Sequence, residues 1–354
     1  MTIPHGRKRS GLNGFIYALL PFLLLAVLSA DGLAVEDEYI LYPSIEKKEE
    51  SVQKEREPMS GEAGPFEWEL WASSLAGYDT NVYLTHYDES ASIFLQNSLS
   101  FHTKSRLFER CLLRLEYDLV AIDYLRFAEP DLSDHIFTAA LDMQVTEELL
   151  WSVEYAYDFV GFPHDDASEY SVDEITSSLR HDISDRLYQK LAYSFFDKDY
   201  GKWKTRTADG NMKLGDREDK RNAVEYELGY YLSDKTLIKS RNSFFRNNSN
   251  ELYLDYYDYK ALSTRASLVH IITDKIYALL DGGYQFKSYD NRVVSDKVSG
   301  DQRDHLLMGG ASIYYDILKN LSLGTNFDYR KNFSNENGQK YTDYVISCGV
   351  YYKY

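Results

Sequence analysis

The chain is short of long apolar runs. Beyond Leu28 no stretch approaches the roughly 20 residues that a membrane-spanning helix needs, and the mean hydropathy is −0.46. A bundle of membrane helices is therefore excluded. Cysteine is nearly absent: Cys111 and Cys348 are the only two in 354 residues. With no CxxC pair and no metal-ligand spacing, neither a disulfide scaffold nor a thiolate metal site is expected; both read as free thiols packed as small hydrophobes. Basic charge is in deficit. Lys and Arg total 39 against 56 Asp and Glu, a net charge of −17. Nucleic acid, which needs a basic footprint, is not an expected partner. No GxSxG, HExxH or glycine-rich phosphate loop occurs, so no enzyme activity, cofactor or metal is expected from motifs.

Tyrosine is what the chain has in excess: 32 Tyr, against 17 Phe and 4 Trp. Its ring and hydroxyl suit both strands and membrane interfaces. The chain opens on a basic trio, Arg7, Lys8 and Arg9. An apolar run from Phe15 to Leu28 follows, then small residues at Ala30 and at Gly32-Leu33-Ala34. That order is a secretory signal peptide, residues 1–34, cleaved between Ala30 and Ala34. Residues 35–65 are charged and too poor in apolar side chains to bury a core, and read as a flexible periplasmic segment. The folded domain is expected over 66–354.

Within that domain one pattern recurs. Tight polar turns stand at Phe108-Glu109-Arg110, Thr146-Glu147-Glu148, Ser184-Asp185-Arg186, Ser233-Asp234-Lys235, Thr273-Asp274-Lys275 and Leu318-Lys319-Asn320. A Ser or Thr hydroxyl at the first position can bond the local backbone, which suits a hairpin. Between these turns lie longer connections rich in Asp, Asn, Gly and Lys, at 163–174, 201–220, 247–258, 291–303 and 334–339. Short turns alternating with long loops are the asymmetry of an up-and-down transmembrane barrel. Six turns join seven hairpins. The fold class is therefore all-β, an antiparallel barrel of about 14 strands, near 66–84, 91–106, 111–127, 135–145, 149–161, 173–183, 187–199, 221–232, 236–246, 259–272, 276–289, 304–317, 321–333 and 340–354.

Alternation supports strands one by one. Trp151, Val153, Tyr155, Tyr157 and Phe159 share a face opposed by Ser152, Glu154, Ala156 and Asp158. The strand near 236–246 is the weak one, because Ser240 and Asn242 interrupt its face. If apolar faces meet lipid, the opposite faces line a lumen. The lining candidates are Glu116, Asp118, Glu154, Asp158, Glu225, Glu227, Arg265, Asp281, Asp328 and Arg330. Acids outnumber bases on these faces, which points to a mild preference for cations. The basic-leaning stretch 201–220 reads as a solvated outer loop, with folding into the lumen as a gate the alternative. Tyr253, Tyr256, Tyr257 and Tyr259 form an aromatic cluster around another loop.

The C-terminus carries the clearest strand. Counted back in twos, Tyr354, Tyr352, Val350, Cys348, Ile346 and Tyr344 form one apolar face. This resembles the terminal strand of bacterial outer-membrane barrels, which the barrel-assembly machinery recognises. Tyr354, Tyr352 and Val350 would then be an assembly signal. The stretch Gly77-Tyr78-Asp79-Thr80-Asn81-Val82 is similar to the GYDSN signature in the first strand of outer-membrane β-barrel porin families of Gram-negative bacteria, with Thr80 in place of the usual Ser. The resemblance implies a porin-like channel for passive or gated diffusion of small polar solutes, set in outer-membrane lipid. The alternative is a structural or assembly barrel working with envelope polysaccharide or lipoprotein partners, and a barrel enzyme stands third. The resemblance transfers no catalytic residue, and turn chemistry is the expected role of Asp79 and Asn81.

Overall fold

A computed structural model describes residues 66–86, 89–165, 168–294 and 300–354. The signal peptide and the 35–65 segment lie outside the described residues. Fourteen strands follow one another: β1 (Glu67–Asp79), β2 (Ser92–Phe108), β3 (Cys111–Tyr124), β4 (Leu132–Thr146), β5 (Leu149–Gly161), β6 (Tyr170–Ser184), β7 (Leu187–Arg206), β8 (Met212–Ser233), β9 (Thr236–Ser249), β10 (Tyr259–Thr273), β11 (Ile276–Val293), β12 (Asp301–Leu318), β13 (Leu321–Ser334) and β14 (Tyr341–Lys353). Each pairs antiparallel with its neighbours in sequence. β1 also pairs with β14, which closes the sheet into a barrel and leaves no open edge. A single 3₁₀ turn, Asn337–Gln339, is the one helical piece among the described residues.

The six short turns share one construction. Two residues separate the strands, and the register slips by one residue just before each turn. Such a bulge adds the twist that a tight hairpin needs. The recurring Ser or Thr has a physical job. The hydroxyls of Thr146, Ser184, Ser233 and Thr273 accept the backbone N–H two residues on, at 3.2–3.3 Å. Both chain ends of the barrel lie at this turn end, since Glu67 pairs with Lys104 near the first turn.

Strand limits depart from the sequence expectation in places. β1 ends at Asp79 rather than 84, because Thr80 and Asn81 are engaged in side-chain bonds that bend the chain away. β4 starts at Leu132 and β6 at Tyr170, earlier than expected. β9 runs unbroken to Ser249, so Ser240 and Asn242 do not interrupt it; Asn242 accepts a bond from Thr264 on β10 at 2.8 Å. The largest correction is 201–220. It is neither a long outer loop nor a gate folded into the lumen but a continuation of the β7–β8 hairpin, which turns only at 207–211.

The seam between β1 and β14 is pinned by the Gly77–Val82 stretch. Asp79 Oδ1 accepts the Asn81 N–H at 2.8 Å, and Tyr124 on β3 donates its hydroxyl to Asp79 Oδ2 at 3.2 Å. Asn81 is fully buried; its amide donates to the carbonyls of Thr85 at 2.9 Å and Thr342 at 3.2 Å. Thr80 donates to Asp343 on β14 at 3.1 Å, and its own hydroxyl accepts the Tyr344 N–H at 2.8 Å. Each side chain therefore ties the first strand to the last or to the following loop, at about 1 kcal/mol per bond.

One face of the wall is an apolar belt. Ile93, Leu95, Phe101, Phe137, Tyr155, Ile175, Tyr193, Leu280, Ile313, Ile346 and Val350 are all exposed on it. Cys348 shares this face. An exposed apolar surface that encircles a barrel has lipid as its natural solvent.

Candidate functional site in the barrel interior

All ten lining candidates point to the face opposite the apolar belt. Registers place Glu116 opposite Thr138, Glu154 opposite Ala140, Glu227 opposite Arg241, and Arg330 opposite Asp343. They do not form one ring. They fall into separate clusters, each built across two or three strands.

On β3–β5 the hub is Arg114. Its guanidinium donates to Glu116 at 2.7 Å, Asp142 at 2.7 Å and Glu154 at 3.4 Å. Its side chain keeps 31% of its exposure and that of Glu154 37%. Asp118 faces His102 of β2 at 3.4 Å. On β8–β9, Arg241 donates to Glu227 at 2.8 Å and lies 3.3 Å from Glu225, while Tyr188 donates its hydroxyl to Glu227 at 3.0 Å. Arg241 is 47% exposed. At the seam, Arg330 grips Asp343 at 2.6 Å. Arg265 reaches Met308 Sδ at 3.7 Å, and Asp281 fills the space over Gly310, where a side chain would collide with its carboxylate. Asp158 lies diagonally from Asp134. Asp328 pairs with Gly310 and Val345 by register.

The sequence reading missed many bases on this face. Lys104, Lys198, Arg217, Arg221, Lys239 and Arg241 all lie on it. Arg217 falls within 201–220, where a loop was expected, and Lys198 and Arg221 flank it. Acids on this face were missed as well, Asp134, Glu174, Asp219 and Asp304 among them, so the acid excess remains, and charge is segregated rather than mixed. Carboxylates concentrate on β3–β6, and basic groups on β7–β11.

Toward the loop end the basic groups are stacked on tyrosines. Lys198 lies 3.6 Å from the Tyr170 ring centre and 4.6 Å from that of Tyr200. Arg217 lies 3.4 Å from Tyr257 and 4.3 Å from Tyr200. Lys287 is fully buried beside Tyr259 and Tyr289, at 4.3 and 4.8 Å, and Arg292 sits over Tyr256 and Tyr289. Tyr257 and Tyr259 of the expected aromatic cluster thus face inward and hold cations. Toward the turn end the lining is apolar. Leu75, Tyr188, Tyr231, Leu237, Val269, Leu279, Tyr314 and Tyr351 pack as one buried belt over β1, β7–β12 and β14.

Burial tells where the free interior is. On β9–β14 many inward side chains, Leu237, Ala261, Asn326 and Asp343 among them, keep at most 1% exposure, whereas Arg241 is exposed and Arg265, Asp281 and Asp328 are half-buried near mid-height. On β3–β6 the inward residues Glu116, Glu154, Asp158 and Thr176 are only half-buried. The open space is therefore eccentric. It runs along β3–β6 and reaches Glu225 and Arg241 at mid-height. At the turn end a pocket of about 260 Å³ opens between Glu67, Glu69, His102, Lys104, Arg114 and Glu116.

The loop 250–258 caps the basic wall. Arg206 grips Glu251 at 2.6 Å, Asn247 donates to the Tyr257 carbonyl at 3.1 Å, and Asn291 donates to Asp255 at 2.9 Å. Asp258 accepts the Ser249 N–H at 2.7 Å. Burial pushes its carboxyl up to about 6, and the nearby Asp255 and Asp290 add to the rise, against Arg246 and the Ser249 bond. The free-chain value is about 3.9. The docked loop thus holds a proton that the undocked loop releases. Docking is strongest below about pH 4 and weakens as pH rises through about 6. Hydrogen exchange of the 250–258 amides, corrected for intrinsic rates, should be slower at pH 5 than at pH 8. Asp258→Asn should remove most of that difference.

No protein-family model matches the chain, and no curated protein matches it in sequence. Solved structures do resemble it. The outer membrane channel DcaP of Acinetobacter baumannii superposes with a TM-score of 0.50 at 9% identity, covering 83% of this chain and 100% of that one. The anion-selective porin from Comamonas acidovorans superposes with a TM-score of 0.48 at 8% identity, covering 82% and 99%. At such identities the likeness to the first is one of fold alone, and the GYDSN resemblance gains nothing from either.

Proposed function

We propose that the chain is an outer-membrane channel for diffusion of small polar solutes. The carrying observation is the pairing of opposites across one wall: an apolar belt outside, and inside a charged face that water reaches along β3–β6. A wall of that kind separates lipid from an aqueous path. The short turns would face the periplasm and the long loops the exterior. The solute is polar because the reachable groups are Arg114, Glu154, Glu225 and Arg241, which are 30–47% exposed. Purified protein in planar bilayers should give discrete conductance steps. Reversal potentials in a salt gradient should show a mild cation preference, since on β3–β6 Glu116, Asp118, Asp134, Glu154, Asp158 and Glu174 outnumber Arg114 and Arg180; clear anion selectivity would reject that assignment. The burial of many inward side chains on β9–β14, Leu237, Ala261, Asn326 and Asp343 among them, favours a second reading, a structural or assembly barrel. Folded protein that never conducts would establish it.

A further inference from the structure

We infer that Asp134 and Asp158 form a binding site for the ammonium group of a small organic amine, reached from the lumen. Asp134 stands opposite Val160 and Asp158 opposite Ile136. The two carboxylates are therefore diagonal neighbours on the inward face of β4 and β5, close enough for side chains to meet. They do meet, carboxyl to carboxyl. An ionised carboxylate only accepts hydrogen bonds. The two carboxyls are hydrogen-bonded to each other, so one of them holds a proton in that bond, while Oδ1 of each is shielded from water and accepts nothing from the described residues. Asp134 is 9% exposed. Buried carboxyl oxygens without a donor are costly, and an ammonium entering from the lumen would displace the shared proton and donate to both carboxylates.

The chemistry of the surroundings narrows the class. Among the described residues no three His, Cys, Asp or Glu could hold a metal ion. A primary ammonium needs less, since it offers three N–H donors on a compact charge. Asp118, opposite Ile136 on β3, adds a third carboxylate to the same face. The Lys198 charge reaches Asp158 from β7, but its ammonium is seated on the Tyr170 and Tyr200 rings. Toward the loop end the wall turns apolar, with Phe94, Ile122 and Leu132 buried together and Tyr124 and Phe162 against them. A short hydrocarbon tail attached to the ammonium would lie there. The fitting ligand is a primary amine with an apolar chain of a few carbons.

The route to the site rests on the channel reading; the binding itself does not, so it is measured directly. Butylamine is titrated calorimetrically into detergent-solubilised protein at neutral pH, with folding verified by its heat-dependent gel mobility. Saturable binding is expected. Asp134→Asn and Asp158→Asn should each weaken it about 10- to 100-fold, the worth of one charge-assisted hydrogen bond. Tetramethylammonium, which has no N–H, should compete poorly. Wild-type affinity in the double Asn variant would overturn the site. So would an absence of binding in folded protein, or an infrared carboxylic-acid band that the amine does not displace, which would show that the pair keeps its shared proton. Binding without conductance would sink the channel and keep the site; conductance without binding would do the reverse.

Discussion

Gly349→Ala is expected to prevent barrel closure. Gly349 lies on β14 opposite Leu75 of β1, at the one seam that joins the ends of the sheet. A Cβ placed there would overlap the Ser74 carbonyl oxygen and stand 2.7 Å from Leu75 Cα. These obstacles are backbone atoms, which cannot swing aside as a side chain can. At Gly229 and Gly324 the obstructing groups are tyrosine rings. Overpacking typically costs about 1–3 kcal/mol, and here the strain falls on the contact that converts an open sheet into a barrel. The heat-modifiable, folded form should fall to a minor fraction. Gly201→Ala, with nothing within 4 Å of its added methyl, should fold like the parent chain. Equal folded yields for the two variants would show that the seam can spread at no cost.

Removing Tyr354 should give the second large effect, at assembly. Its N–H donates to the Leu70 carbonyl at 2.8 Å, and its own carbonyl accepts the Leu70 N–H at 3.2 Å. Its ring stacks on Trp68 at 5.4 Å. Deletion loses two seam bonds and an aromatic pair, together about 2–3 kcal/mol. It leaves Lys353 with its own partner Glu69 at 2.8 Å. Tyr354→Asp keeps the backbone but places a charge beside Trp68, on the face with Tyr352 and Val350. Both variants should lower the amount of folded protein in outer-membrane fractions several-fold. Unchanged amounts would mean that the aromatic terminus is not an assembly signal.

Much of the architecture was legible because its causes are local. Four of the six turns could be read because Ser or Thr at the first position bonds a backbone N–H two residues on. The β5 limits agree with expectation because Trp151 to Phe159 alternate cleanly. The 201–220 stretch was opaque for a physical reason. Where a hairpin runs past the apolar belt, neither face needs to be greasy, so charges fall on both faces, as at Asp216-Arg217 and Glu218-Asp219. The interior was harder still. Tyrosine serves a lipid face and a packed inner face equally well, so residue type alone did not separate exposed Tyr155 from buried Tyr188 or Tyr314. The Asp79-Thr80-Asn81 turn was anticipated as turn chemistry, but its ties to Tyr124, Thr342 and Asp343 depend on a closure that only the fold supplies.

The central claim is an eccentric aqueous path along β3–β6, and thiol accessibility tests it most directly. In a background with Cys111 and Cys348 replaced by Ser, single cysteines are placed at Glu154 and at Ser322. A charged, membrane-impermeant thiol reagent is then added to the conducting protein in a planar bilayer. Glu154→Cys should react and change the single-channel current, while Ser322→Cys, at a position 1% exposed on β13, should not react. Modification at Ser322 with none at Glu154, or modification at Glu154 with no change in current, would contradict the account.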